Sequence, residues 1–339
     1  MRGFIKISMF VIAMGACKSM MAQQLTAKAY DCYKQKDYAC AQNWIDSAIV
    51  SNERSNSQTW QLRGVVYRNL ETPQSKDYRS IAIESFVQAR NLDKDNADKE
   101  KIDNYLKNTI IRYYNDAVTA LEANDLKESE KSYELYKSKQ VQYVNPSQDF
   151  HQSDIDFYNA LGGQYMNNMS ILPEGAQRDE IRAKGIAFFE KVLELDAENF
   201  QANFNVGLIH YNEGVDITMA MSGSTDLSIE MIIENTGRSE ELFFTALPYL
   251  HKAEKMDPKS EETIEGITGC YYGLHDDENY NKYRKILDEM IIDDLLKSYD
   301  ANPNDLDVVK ELCRIYSTTI KNQQEYDKFK AVYDKLREN

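Results

Sequence analysis

The sequence predicts an all-α protein built as an array of stacked antiparallel helix pairs, and three observations carry that expectation. The first is internal repetition. Ala82, Phe86 and Ala89 precede Leu92-Asp93-Lys94-Asp95-Asn96; Gly185, Phe189 and Val192 precede Leu195-Asp196-Ala197-Glu198-Asn199; Ala246, Leu250 and Ala253 precede Met256-Asp257-Pro258-Lys259-Ser260. Each stretch spaces three core-type residues by four and three positions, which is one face of a helix, and then stops on Asp. The second is punctuation: 339 residues hold only 14 Gly and 6 Pro, so few residues interrupt helices. The third is apolar periodicity at helical spacing along nearly the whole chain, broken by short polar turns. Apolar residues at 42% and charged residues at 28% describe a folded chain and exclude global disorder. The 23 tyrosines suit helix seams that are apolar on one side and wet on the other.

The first 22 residues differ from the rest. Arg2 and Lys6 precede an apolar run from Ile7 to Ala16, and the segment ends in Met20-Met21-Ala22 before Gln23-Gln24. A basic start, a short apolar core and a small residue at the end predict a secretory signal peptide over 1–22, cut after Ala22. A transmembrane anchor needs about 20 apolar residues, which Lys6 and Lys18 do not leave. Met14-Gly15-Ala16-Cys17 is a second cleavage candidate, with the look of a bacterial lipoprotein box. It has Met where Leu is usual, and it makes Cys17 a possible lipidation site. Loss of Arg2, Lys6 and Lys18 makes the formal charge of −15 three units more negative. So acidic a surface disfavours nucleic acid and anionic lipid as partners.

Leu25 to Val50 forms the first pair, turning at Tyr33-Lys34-Gln35-Lys36-Asp37-Tyr38 into Ala41, Ile45 and Ala48. The second carries Trp60, Gly64 and Tyr67, then Ala82, Phe86 and Ala89. The third runs through Tyr113, Ala117 and Ala120, turns at Asn124-Asp125-Leu126, and returns through Ser129, Tyr133 and Tyr136. Pro146 closes the N-terminal repeats at 23–146, and a polar stretch to Ser153 precedes C-terminal repeats at 154–339. These open with Tyr158, Leu161, Gly162 and Tyr165, returning through Gly185, Phe189 and Val192. Phe204, Val206, Gly207 and Tyr211 pair with Ala246, Leu250 and Ala253 around a Met-rich insertion at 213–238. Ile264, Ile267 and Tyr271 pair with Tyr283 and Ile286, and Val309, Leu312 and Tyr316 with Tyr326, Phe329 and Tyr333. Small residues at Gly64, Ala82, Gly162, Gly207, Ala246 and Ala253 predict close helix crossings. The insertion reads either as an adaptable Met surface or as an extension of its two flanking helices packed on itself.

Trp60-x3-Gly64-x2-Tyr67 with Ala82-x3-Phe86-x2-Ala89, and Gly207 with Ala246-x3-Leu250-x2-Ala253-x4-Pro258, resemble the tetratricopeptide repeat, a helix pair of about 34 residues. The resemblance covers nearly all of the mature chain. It departs in period, with steps of 41 from Ala48 to Ala89 and 61 from Val192 to Ala253. It implies a right-handed superhelical solenoid whose concave face is lined by the first helix of each pair. By alignment that face holds Gln61, Asn69, Tyr114, Asn159, Asn167, Phe204, Leu208, Tyr211 and Asn212, amides and aromatics that suit an extended peptide. The clamp of two Lys, two Asn and one Arg used by chaperone-binding relatives is not visible, because Thr26 and Tyr30 stand where its first Lys and Asn belong.

Signs of chemistry are sparse. His151, His210, His251 and His275 place no two ligands on one helix face, and His251-x2-Glu254 alone is weak. Gly223-Ser224-Thr225 has Ser where a phosphate loop needs Lys. No nucleophile, base and orienter stand out together, so the chain is expected not to be an enzyme and to carry neither metal nor cofactor. Cys32 and Cys40 flank a helix turn in an exported chain, which permits a disulfide; Cys270 and Cys313 read as buried thiols. The expectation is a binding scaffold in the bacterial cell envelope for a protein or peptide partner. If Cys17 is lipidated, the alternative is an anchored accessory or substrate-binding component of a polysaccharide-handling or secretion complex.

Overall fold

A computed structural model describes residues 24–72, 75, 77–173, 175–224 and 227–337, and within them the chain is all-α. The expected signal peptide and Cys17 lie outside the described residues. The chain divides between Phe150 and His151 into two compact units. The first holds α1 (Gln24–Lys34), α2 (Tyr38–Ile49), α3 (Ser57–Leu70), α4 (Asp77–Leu92), α5 (Lys99–Glu122) and α6 (Leu126–Tyr143). The second holds α7 (His151–Ser170), α8 (Ala176–Leu195), α9 (Phe200–Ser222), α10 (Ile229–Met256), α11 (Glu261–Gly273), α12 (Asp277–Ala301), α13 (Leu306–Thr318) and α14 (Gln323–Arg337). Inside each unit consecutive helices pack as pairs, and first helices of successive pairs also touch: α1 with α3, α3 with α5, α7 with α9, α9 with α11.

One local device makes three of the turns within pairs. Lys36, Asn124 and His275 have φ of 60°, 60° and 55°. The N–H of the next residue, Asp37, Asp125 or Asp276, donates back to Cys32, Ala120 or Tyr271 at 3.0, 2.8 and 3.0 Å. The same aspartates then accept from the N–H of Cys40, Glu128 and Asn279 at 2.9, 3.2 and 3.1 Å. Two residues thereby satisfy the last carbonyls of one helix and the first amides of the next.

The helices of a pair cross at glycine. A Cβ on Gly64 would lie 2.5 Å from the ring of Phe86, one on Gly162 2.9 Å from Phe189, and one on Gly207 2.7 Å from Leu250. Phe86, Phe189 and Leu250 are each wholly buried, as are Ala82, Ala89, Ala246 and Ala253 around them. Full burial of one such Phe or Leu side chain contributes about 1.5–3 kcal/mol. Three pairs therefore share one register, a small residue on the first helix against a large one on the second. In the third pair wholly buried Ala117 accepts, through its carbonyl, a hydrogen bond at 2.8 Å from the Ser129 hydroxyl.

A disulfide joins Cys32 of α1 to Cys40 of α2, while Cys270 and Cys313 are free and buried. The segment 213–238 continues α9 and α10 beyond the length of a repeat. Its base is packed, with Phe243 against Gly214 and ion pairs from Arg182 to Glu213 (3.2 Å) and Arg178 to Asp216 (3.0 Å). Its far end leaves Met219, Ile229, Met231, Ile232 and Ile233 exposed. Among the described residues no helix is long and apolar enough to cross a membrane.

Candidate binding groove

In the first unit, α1, α3 and α5 leave a shared face open to solvent. One recess of about 380 Å³ has an apolar floor of Tyr30, Tyr33, Leu62, Val65 and Tyr105, with Gln61 and Asp98 at its edge. Burial pushes the Tyr33 hydroxyl above the ordinary tyrosine range, so it stays a protonated donor at neutral pH. Farther along α3 and α5 a second recess, about 440 Å³, is lined by Arg68, Asn69, Asn108 and Arg112. Between them a third hollow is lined by Arg68, Asp98, Glu100, Lys101, Asn104, Tyr105 and Asn108, so it mixes both signs of charge.

Lys101, Tyr105, Asn108 and Arg112 follow one another at helical spacing on α5, so they share its groove side. Tyr114 does not. Two residues past Arg112 it is turned by about 200°, and its ring packs against Tyr133 and Tyr136 of α6 at 6.2 and 5.4 Å. The placement of Tyr114 in the groove is therefore corrected. The sequence reading ran this helix through Tyr113, Ala117 and Ala120; it starts at Lys99, so Lys101, Tyr105 and Asn108 lie on it as well. The cationic and amide residues of α5 were legible as an i, i+4, i+7, i+11 series, but only once that start is known.

Gln61 and Asn159 are buried in seams between repeats. Gln61 is 5% exposed and donates from Nε2 to Asp98 Oδ2 at 3.1 Å, the residue that precedes α5. Asn159 is 7% exposed and donates from Nδ2 to Asn199 Oδ1 at 3.2 Å, the N-cap of α9. In both units an amide on the first helix of one pair thus ties down the start of the first helix of the next. Thr26 does the same on α1, with its hydroxyl 2.6 Å from Glu53 and 2.9 Å from Thr59. Asn69 is exposed on the groove face, with its Nδ2 on the Val65 carbonyl at 2.7 Å.

In the second unit Asn167 and Asn212 are exposed on α7 and α9. Phe204 is half-buried and stacks on Phe200 at 5.6 Å, and half-buried Leu208 reaches toward Gly266 of α11. Tyr211 lies over Gly269 of α11 and against Phe243, and burial raises its hydroxyl pKa. A Cβ at Gly269 would run into that ring, so Tyr211 is a packing residue between first helices with only its flank in solvent. Elsewhere in this unit, His251 bonds Glu254 through Nδ1 and the Tyr271 hydroxyl through Nε2, both at 2.9 Å, and Tyr283 donates to the same Glu254 at 3.1 Å. Both ring nitrogens are engaged by the fold. Among the described residues no three His, Cys, Asp or Glu are grouped to hold a metal.

No protein-family model matches the chain, and no curated protein matches it in sequence. Solved structures similar to it include three of IFIT1. A monomeric mutant with Gppp-AAAA is 12% identical, over 89% of this chain and 68% of that one, with a TM-score of 0.27. A second monomeric mutant with m7Gppp-AAAA is 11% identical, over 92% and 80%, with a TM-score of 0.29. The human IFIT1 dimer with m7Gppp-AAAA is 11% identical, over 89% and 68%, with a TM-score of 0.28. Superposition this loose lends the chain none of the ligands of those proteins.

Proposed function

We propose that this protein is a non-catalytic scaffold, exported to the bacterial cell envelope, that holds a protein or peptide partner against the first helices of its repeats. The observation that supports it most is the open face of the first unit. Packing fills the seams between first helices, yet α1, α3 and α5 keep an apolar recess beside a polar one. Aromatic rings next to exposed amides supply buried area and backbone hydrogen bonds together, which is what an extended peptide needs. A photo-crosslinking residue at Asn69 or Asn108, expressed in cells with the native leader, is expected to trap a protein adduct. The same residue at Glu84, exposed on α4, is expected to trap none. Adducts from Glu84 alone would move the binding surface to the second helices.

The export reading rests on the leader sequence, and Met14-Gly15-Ala16-Cys17 supports a second one. Mass spectrometry of the mature N-terminus separates them. Gln23 at the start gives a soluble scaffold; a diacylated Cys17 gives an anchored accessory subunit of an envelope complex.

A further inference from the structure

The recess at Arg68, Asn69, Asn108 and Arg112 offers hydrogen-bond donors and positive charge without an acid in its lining. Its two guanidinium groups are held differently. Arg112 reaches Glu71 at 2.9 Å and the Arg68 carbonyl at 3.2 Å, so its charge is partly answered from beneath. Arg68 has no carboxylate partner among the described residues; its guanidinium lies 5.5 Å from the Tyr105 ring centre, which orients it without neutralising it. Exposed Asn69 and Asn108 flank it. Asp98 and Glu100 line the adjoining hollow that Arg68 and Asn108 also line. On the acid-free side, though, an arginine without an ion pair, beside an aromatic ring and two exposed amides, suits an anion.

Resting on the groove reading above, we infer that the first unit binds an extended peptide segment carrying apolar side chains followed by carboxylate side chains. The apolar residues would lie on Tyr30, Leu62 and Tyr105, and the carboxylates would enter the recess at Arg68. A nucleic acid fits less well. Its charge is continuous, and a recess one or two anions long does not offset the repulsion of an acidic chain, which a peptide with two carboxylates feels far less.

Fluorescence anisotropy tests this with a labelled heptapeptide, amidated at its C-terminus, that carries a Leu pair followed by a Glu pair. Its counterpart has Gln in place of Glu. The full mature chain is expected to bind the Glu peptide saturably and at least several-fold tighter than the Gln peptide, with affinity falling as salt rises. Arg68→Gln should erase that preference while shifting the melting temperature by no more than about a few degrees, since only the contact with Tyr105 is lost; Asn108→Ala should weaken it. Equal binding of the two peptides, no saturation at millimolar protein, or a preference that survives Arg68→Gln overturns the inference. So does tighter binding of a single-stranded oligonucleotide of equal length. Crosslinking at Asn69 or Asn108 judges the groove separately. Adducts there without a Glu preference leave the groove standing and remove the anion; no adducts and no peptide binding remove both.

Discussion

Leu250 of α10 lies against the one side of α9 that has no side chain. A Cβ on Gly207 would fall 2.7 Å from its Cγ and Cδ2 and 3.2 Å from its backbone nitrogen, and the same leucine reaches Gly266 of α11 at 3.2 Å. One side chain thus spans two successive pairs. Gly207→Leu puts four carbons into occupied space, and because the nearest groups include backbone they cannot all rotate away. It is expected to cost about 1–3 kcal/mol or more, and the damage should reach α11 through Leu250. Gly163, the neighbour of Gly162 on α7, has nothing within 4 Å of its Cβ position. Gly163→Ala is therefore expected to stabilise by about 0.5–1 kcal/mol. Urea unfolding of the two variants checks the signs, and a Gly207→Leu midpoint equal to that of the parent would refute the crossing.

The amide ties between repeats make a second expectation. Gln61→Leu removes the hydrogen bond to Asp98 and leaves that half-buried carboxylate with one donor fewer; the loss should be about 0.5–1.5 kcal/mol. Asn199→Ala removes both the acceptor for Asn159 and the cap on the Ala202 N–H at 3.1 Å. Losing a cap costs about 1 kcal/mol by itself, so Asn199→Ala should exceed Asn159→Ala. Equal unfolding midpoints for the two would show that the tie from Asn159 carries the whole effect. Truncating Asn159 or Tyr211 therefore reads stability before it reads partner binding. Exposed Asn167 and Asn212 are the positions in the second unit where binding is measured cleanly.

The disulfide gives a third. Cys32 and Cys40 are eight residues apart, so the bond closes a short loop around the turn at Lys36. In the chain-entropy account a loop of this size contributes about 2–3 kcal/mol by restricting the unfolded chain. Cys32→Ser with Cys40→Ser, or reduction, should lower the unfolding midpoint accordingly. Peptide mapping without reductant should find this pair linked, with Cys270 and Cys313 alkylated only after denaturation. Free thiols at Cys32 and Cys40 in protein taken from an oxidising compartment would contradict it.

The all-α class was readable in the sequence because each level repeats the same statement. The small–large–small series sets the faces, Asp ends and starts helices, and scarce Gly and Pro leave long runs intact. The groove was read far less well, for a physical reason. An amide on a groove face and an amide in a seam between repeats look alike in one dimension; only the position of the next helix start decides, as Asp98 does for Gln61 and Asn199 for Asn159. For Tyr114 the error lay in phase. Tyr114, one residue past the buried Tyr113, turns to Tyr133 and Tyr136 of α6 rather than to the groove, and Arg68 stands out only once Tyr105 is known to lie beneath it.

His210 sets a pH expectation. Its ring is half-buried on α9 and stacks on Tyr249 at 6.4 Å, and its buried Nδ1 has no hydrogen-bond partner among the described residues. Burial lowers its pKa below the usual 6.5, Arg182 lowers it further, and Glu190 opposes them only in part. The folded chain therefore binds this proton less readily than the unfolded chain does. Its contribution is fully present above about pH 6.5 and is lost as pH falls toward the lowered folded value, since the unfolded state then takes up the proton first. Melting temperature should fall between pH 7.5 and pH 5.5. His210→Phe, which keeps the stacking ring and removes the titrating group, should flatten that part of the profile. The comparison is between slopes, so a change in absolute stability from the Phe side chain does not confuse it. A variant as sensitive to pH over this range as the parent would assign the dependence to other groups.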